Sequence, residues 1–192
     1  MTFFQLQLKP LSVEQLDAVV ELDRLCLGGL WTVEGYQREL DSPNSELLVL
    51  SVPGQSHLLG VGCFWAILDE AHITILAVHP NYHGQGLGKL LLSALLARAG
   101  QRGLERATLE VRTSNAVALS LYEKFGFKVA GSRPKYYQNP AEDALILWRS
   151  GLQYPSFAQE IAQWQAEAAA RLKEYHWHGS ETIREVRSPT NP

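Results

Sequence analysis

The sequence predicts an α/β fold: a mixed, mostly antiparallel central sheet flanked by helices, with a helical extension at its C-terminal end. Three observations lead to this. Apolar runs over 45–52, 57–68 and 71–78 are separated by tight-turn signals, which reads as an antiparallel meander. A glycine loop, "HGQGLGK" at 83–89, then stands between a strand and a long apolar helix, the signature of a parallel crossover. Finally, Phe157, Ile161, Trp164, Ala168 and Leu172 recur at helical spacing beyond the last strand.

The elements follow in order. Ser12-Val13-Glu14-Gln15 has the form of a helix-start box, with Leu16, Val19, Val20 and Asp23 setting an amphipathic period behind it. Thr32 is placed to cap a short second helix through Leu40. "SELLVLSV", a turn at Pro53-Gly54, "HLLGVGCFWAIL", a turn at Asp69-Glu70 and "AHITILAV" make up the meander. A helix over about 87–102 follows the glycine loop. "RATLEVRT" is a strand, and "SNAVALSLYEKF" a helix stopped by Gly126. "FKVAGSR" and "ALILWRS" close the sheet, joined by a loop that holds Tyr136 and Tyr137. The expected division is a domain over 1–152, an amphipathic helix over 153–178 and a disordered polar tail over 179–192.

Composition excludes several classes. The net charge is −3 with no long basic run, which argues against direct nucleic-acid binding. Cys26 and Cys63 form no C-x-x-C pair, and the His176/His178 pair has no neighbouring partners, so no metal is expected. No apolar run reaches the length of a membrane span, and no leader pattern opens the chain. The expected location is the cytosol.

The glycine loop has three competing readings. Positive backbone angles alone account for one or two glycines, not for three in five positions before a helix. The nucleotide patterns fail: a P-loop needs glycine where His83 stands, and a dinucleotide fingerprint needs it where Lys89 stands. The third reading is an anion cradle, in which backbone N–H groups and a helix N-terminus receive a pyrophosphate.

"AVHPNYHGQGLGKLLL" resembles the acyl-coenzyme A loop of the GNAT N-acetyltransferases, whose pattern is Q/R-x-x-G-x-G/A. His83 takes the first position, a departure, and Gly86 and Gly88 are the required glycines. "LEVRTSNAVALSLYEKFGF", "DEAHITILAVHPNY", "RPKYYQNPAEDALIL" and Trp31-Thr32 resemble one branch, the ribosomal-protein-alanine N-acetyltransferases. The resemblance covers roughly residues 5–150. It implies acetyl-coenzyme A as co-substrate and a protein N-terminus as acceptor, with ribosomal protein S18 as the partner. It also implies coenzyme contacts at the loop (His83, Gly84, Gln85, Gly86, Leu87, Gly88, Lys89), at Asn115, and at the backbone of Leu76, Ala77 and Val78.

Two side chains stand out chemically. Glu110 interrupts an apolar strand, with Thr108 and Arg112 on its own face and Leu109 and Val111 on the other. It is either one half of an ion pair on the sheet or a general base. An α-amine with a pKa of about 8 must lose a proton before it attacks a thioester. Tyr122 is either a core tyrosine or a general acid for the departing thiolate. The branch resemblance assigns the catalytic roles. Asn115 fits a helix cap as well as a coenzyme contact. Tyr136 and Tyr137 are an ordinary aromatic loop or, by resemblance, a wall gripping the acceptor, with Trp31 beside it.

The expected protein is a metal-free acetyltransferase working by direct transfer. Its rivals are another acceptor (a lysine, a polyamine, an antibiotic or a small amine) and a non-catalytic coenzyme-binding regulatory module. The oligomeric state is open. Because Glu110, Tyr122 and the loop all precede Gly151, coenzyme chemistry is expected to survive removal of the extension.

Overall fold

The computed structural model describes residues 4–179. An eight-stranded sheet runs in the order β6-β7-β5-β4-β3-β2-β1-β8. Its strands are β1 (Phe4–Pro10), β2 (Ser45–Ser51), β3 (Leu58–Ile67), β4 (Glu70–Val78), β5 (Arg106–Arg112), β6 (Lys128–Gln138), β7 (Ala141–Ser150) and β8 (Trp177–Gly179). The helices are α1 (Leu16–Leu27), α2 (Val33–Asp41), α3 (Leu87–Gln101), α4 (Ala116–Lys124) and α5 (Phe157–Glu174). Pairing is antiparallel except for β4 with β5 and β1 with β8. The predicted fold class is the one observed.

Alternation along the strands builds one core on each face of the sheet. Leu47, Val49, Val61, Ile75 and Ala77 pack under Val19, Val20 and Tyr36 of α1 and α2. Leu48, Leu50, Leu59, Phe64 and Ile73 pack under Leu91, Leu92 and Leu95 of α3. Gly62 lets α3 lie close, because a Cβ there would stand 2.7 Å from Leu95 Cδ1. Thr32 caps α2 by accepting from the Gly35 N–H at 3.2 Å.

Ahead of the extension, the structure corrects the sequence reading at three places. "FQLQLKP" is a strand, β1, that the reading left unassigned; its Leu6 and Leu8 alternate into the core. Ser12–Gln15 begins a short 3-10 turn ahead of α1, with the Ser12 N–H donating to Gln15 Oε1 at 3.3 Å. Tyr136 and Tyr137 lie within β6, not in a loop, next to a register shift between Arg133 and Tyr137.

The extension docks on its own chain. Phe157, Ile161, Trp164, Ala168 and Leu172 are all buried, and Trp164 packs against Phe125 with ring centroids 4.3 Å apart. Each large apolar side chain buried this way contributes about 1.5–3 kcal/mol. Arg149 of β7 anchors the start of α5 through Glu160 at 2.6 Å. The helix expected over 153–178 is confined to Phe157–Glu174, and past it Trp177–Gly179 form β8 beside β1, where strand pairing replaces the helical period. The tail expected to be disordered lies outside the described residues from 180 onward. Among the described residues, no helix is long and apolar enough to cross a membrane.

Candidate active site

The site begins where two parallel strands part. β4 and β5 pair only at Glu70, Ala71 and His72 against Arg106, Ala107 and Thr108. Beyond that point they splay. A register shift opposite Cys63 and Phe64 leaves Thr74 out of step with β3, which bends β4 just past the fork. The divergence frees strand edges that would otherwise be paired. A cavity of about 340 Å³ opens there, lined by Leu76, Val78, Gly84, Gly88, Asn115 and Tyr122, with His83 and Leu87 among its other walls.

The glycine loop forms one end. Gly84 and Gly86 have φ of 75° and 96°, the left-handed region that favours glycine. Gly86 is the N-cap of α3 and supplies no side-chain cap. Among the described residues, no protein acceptor takes the N–H groups from Gly84 through Lys89. These orphan donors sit at the positive end of a helix dipole, which suits an anion. His83 Nε2 lies 2.7 Å from the Val78 carbonyl, so that nitrogen carries the proton and ties the loop to the end of β4. Asn115 caps α4, its Oδ1 accepting from Ala118 N–H at 3.1 Å, as one of its two sequence readings has it, and it also lines the cavity.

Tyr122 is buried against Phe127 and lines the same cavity. Burial, with a smaller contribution from Tyr137, pushes its phenol pKa well above the usual value. The hydroxyl therefore stays protonated across neutral pH.

Glu110 marks the other side of the fork. Its side chain is 8% exposed, and both oxygens are engaged. Oε2 is 2.8 Å from His72 Nε2 on β4, and Oε1 is 3.1 Å from Arg133 Nη2 on β6. The Tyr137 hydroxyl reaches the Glu110 backbone carbonyl at 3.4 Å, and Arg112 stacks 4.0 Å above the Tyr137 ring. Trp31 stacks on Trp65, whose ring edge meets His72. Asp23 fixes the Trp31 segment: fully buried, it accepts from Leu30 N–H at 2.7 Å, Trp31 N–H at 2.9 Å and the Tyr36 hydroxyl at 3.0 Å.

Residues 16–127 match the Acetyltransferase (GNAT) family. The chain belongs to that family. A Bacillus subtilis (strain 168) protein provisionally named a [ribosomal protein bS18]-alanine N-acetyltransferase is 37% identical over 139 residues, 72% of this chain and 91% of that one. The [ribosomal protein bS18]-alanine N-acetyltransferase of Escherichia coli (strain K12) is 46% identical over 83 residues, 42% of this chain and 56% of its own. The crystal structure of the ribosomal-protein-S18-alanine N-acetyltransferase from Escherichia coli superposes with a TM-score of 0.68 at 30% identity, covering 76% of this chain and 93% of that one.

As a GNAT acetyltransferase, the protein is an acetyl-coenzyme A-dependent enzyme. The structure brings most of the residues expected from sequence around one fork, but not all in the same way. Ala77 turns its side chain into the core under α1, away from the cavity, so only its backbone is placed to contribute. Gln85, Gly86 and Lys89 face the C-terminal extension: Gln85 Oε1 accepts from Trp177 Nε1 at 2.7 Å, and Lys89 pairs with Glu167. Sequence reasoning missed His72, Arg133 and Asp23. His72 was the most accessible of these, since it is a polar residue at alternate spacing in "AHITIL".

Proposed function

We propose that the protein transfers acetyl from acetyl-coenzyme A to the α-amine of a protein N-terminus, with the N-terminal alanine of ribosomal protein bS18 as acceptor and the cytosol as the place of action. The observation that carries the mechanism is Glu110: a carboxylate at the mouth of the β4–β5 fork, held by two donors that are not backbone. The acceptor assignment draws on the relatives named above.

The residues fit the coenzyme. The orphan N–H groups of the 84–89 loop suit a pyrophosphate, and the cavity running from them past Leu76 and Val78 to Tyr122 suits an extended arm. When bound, acetyl-coenzyme A supplies an activated thioester carbonyl. Glu110 accepts the proton of the attacking amine, directly or through water. Arg133, 53% exposed, is the partner that gives way to an incoming amine, while His72 stays to hold the carboxylate. Tyr122 donates toward the sulfur as the carbon–sulfur bond breaks. Because its phenol is a weaker acid than a free tyrosine, it works mainly as a hydrogen-bond donor to the developing thiolate. Tyr136, Tyr137 and Trp31 flank the amine.

The test is thiol release from acetyl-coenzyme A with a peptide beginning Ala-Arg-Tyr, compared with the same peptide blocked at its α-amine and with a lysine-only peptide. Turnover confined to the free α-amine is expected. Preference for lysine would overturn the acceptor assignment.

A further inference from the structure

The C-terminal extension lies outside the family match, which stops at residue 127, yet it touches the coenzyme loop at several points. Arg171 Nε of α5 donates to the Gly84 carbonyl at 3.1 Å, and Arg171 Nη2 is itself within 3.0 Å of the Tyr175 hydroxyl. Trp177 Nε1 of β8 donates to Gln85 Oε1 at 2.7 Å, with its ring edge-on to Tyr82 at 5.8 Å. Glu167 pairs with Lys89 in the first turn of α3. Gly86 is packed so tightly on α5 that a Cβ would stand 3.2 Å from the Arg171 side chain and 3.4 Å from the Ala168 carbonyl. The extension therefore contacts the coenzyme loop, although Glu110, Tyr122 and the loop itself all precede it in the chain.

The loop has few fixings of its own. Between Gly84 and Gly86, its ties outside the extension are the Gly86 carbonyl accepting from Leu90 N–H, the first bond of α3, and the Gln85 side-chain amide donating to the Asn81 carbonyl at 3.4 Å. A glycine-rich segment without tertiary ties samples more backbone states than any other. In a trans peptide the carbonyl of one residue and the N–H of the next point in opposite directions. Pinning the Gly84 carbonyl to Arg171 therefore turns the Gln85 N–H away from α5.

We propose that the extension is part of the coenzyme site: Arg171 and Trp177 are positioning residues that hold the 84–86 loop in its anion-receiving form. The proposal rests on the reading that this loop takes the coenzyme's phosphates. Donors ordered before binding need no ordering when the phosphates arrive, so the contribution appears in coenzyme affinity and not in the chemical step.

The experiment uses the full chain and four proteins: wild type, Arg171→Gln, Trp177→Phe and, as a control at the far end of α5, Glu160→Gln. Calorimetry gives the acetyl-coenzyme A Kd, thermal melting gives stability, and steady-state kinetics give each KM and kcat. Arg171→Gln and Trp177→Phe should each raise the Kd and KM for acetyl-coenzyme A on the order of tenfold, the equivalent of one lost hydrogen bond. The acceptor KM and the kcat at saturating coenzyme should stay put. Glu160→Gln should lower the melting temperature and leave the Kd unchanged. Wild-type affinity in a folded Arg171→Gln and Trp177→Phe pair would overturn the proposal, as would an equal Kd rise in Glu160→Gln. Should Arg171→Gln fail to fold, Trp177→Phe alone decides. Failure of the wild type to bind acetyl-coenzyme A would instead overturn the coenzyme reading, and this inference with it.

Discussion

Glu110 Oε2 sits 2.8 Å from His72 Nε2, bridging the last paired rung of β4 and the strand beside it. The two residues face each other across the point where the strands part. His72 therefore orients the carboxylate while Arg133 covers its other oxygen. Replacing Glu110 with Gln should preserve acetyl-coenzyme A affinity and lower kcat by about 100-fold near neutral pH. The deficit should shrink at high pH, where the amine deprotonates unaided. Calorimetry and a pH–rate profile check this, and wild-type turnover at pH 7 would remove Glu110 from the mechanism.

Tyr122→Phe should reduce kcat by roughly 10-fold, a smaller loss, with coenzyme affinity maintained. The raised phenol pKa gives a signed expectation. The native group keeps its proton through the range in which a free tyrosine ionises, so Tyr122 should add no alkaline limb to the rate profile below about pH 10. The same shift favours the folded state fully below the unfolded value and loses that contribution as pH rises above it. A descending limb near pH 9 that vanishes in Tyr122→Phe would contradict the assignment.

Asp23→Ala should leave Leu30 N–H, Trp31 N–H and the Tyr36 hydroxyl without their acceptor. The expected destabilisation is about 2–4 kcal/mol, read by chemical denaturation. Freed from its anchor, the Trp31 segment should also raise the acceptor KM more than the coenzyme KM.

Glu142 accepts from Thr113 Oγ1 at 2.9 Å and Ser114 N–H at 2.6 Å at the turn into α4. Hydrogen bonding from the Ser114 side chain and N–H, with smaller contributions from Thr113 and Arg112, holds its pKa down to about 2, from an ordinary value of 4.5. The stabilisation is fully present above pH 4.5 and is lost as pH falls toward 2. NMR titration of the Glu142 carboxyl should show its midpoint well below the other exposed carboxylates. A midpoint near 4.5 would show that the turn is not closed this way.

The legible parts of this chain were those where local pattern and tertiary role coincide. The meander, the crossover loop and the α5 stripe each have a period or a punctuation that burial then uses. Glu110 was legible because its charge stands between Leu109 and Val111 in an apolar strand. β1 was passed over although "FQLQLKP" alternates, because its partners lie some forty residues downstream and at the far end of the chain. His72, Arg133 and Asp23 gain their meaning only from neighbours across the fold, and no spacing along the chain announces that. The aromatic pair Tyr136 and Tyr137 looked like a loop because Pro134 and Pro140 bracket it, whereas cross-strand pairing with Glu142 and Ala141 extends β6 past them.

The parallel pairing of β1 with β8 has a consequence for vectorial synthesis. β1 leaves the ribosome well before β8, and β2 can cover only one of its sides. Its other side gains a partner only once Trp177–Gly179 has emerged. Until then a nascent chain carries an open strand edge that can recruit the wrong neighbour. A chain cut anywhere before Trp177 keeps that edge open for good, so proteolytic clipping in the extension should show first as self-association, ahead of any loss of helix content.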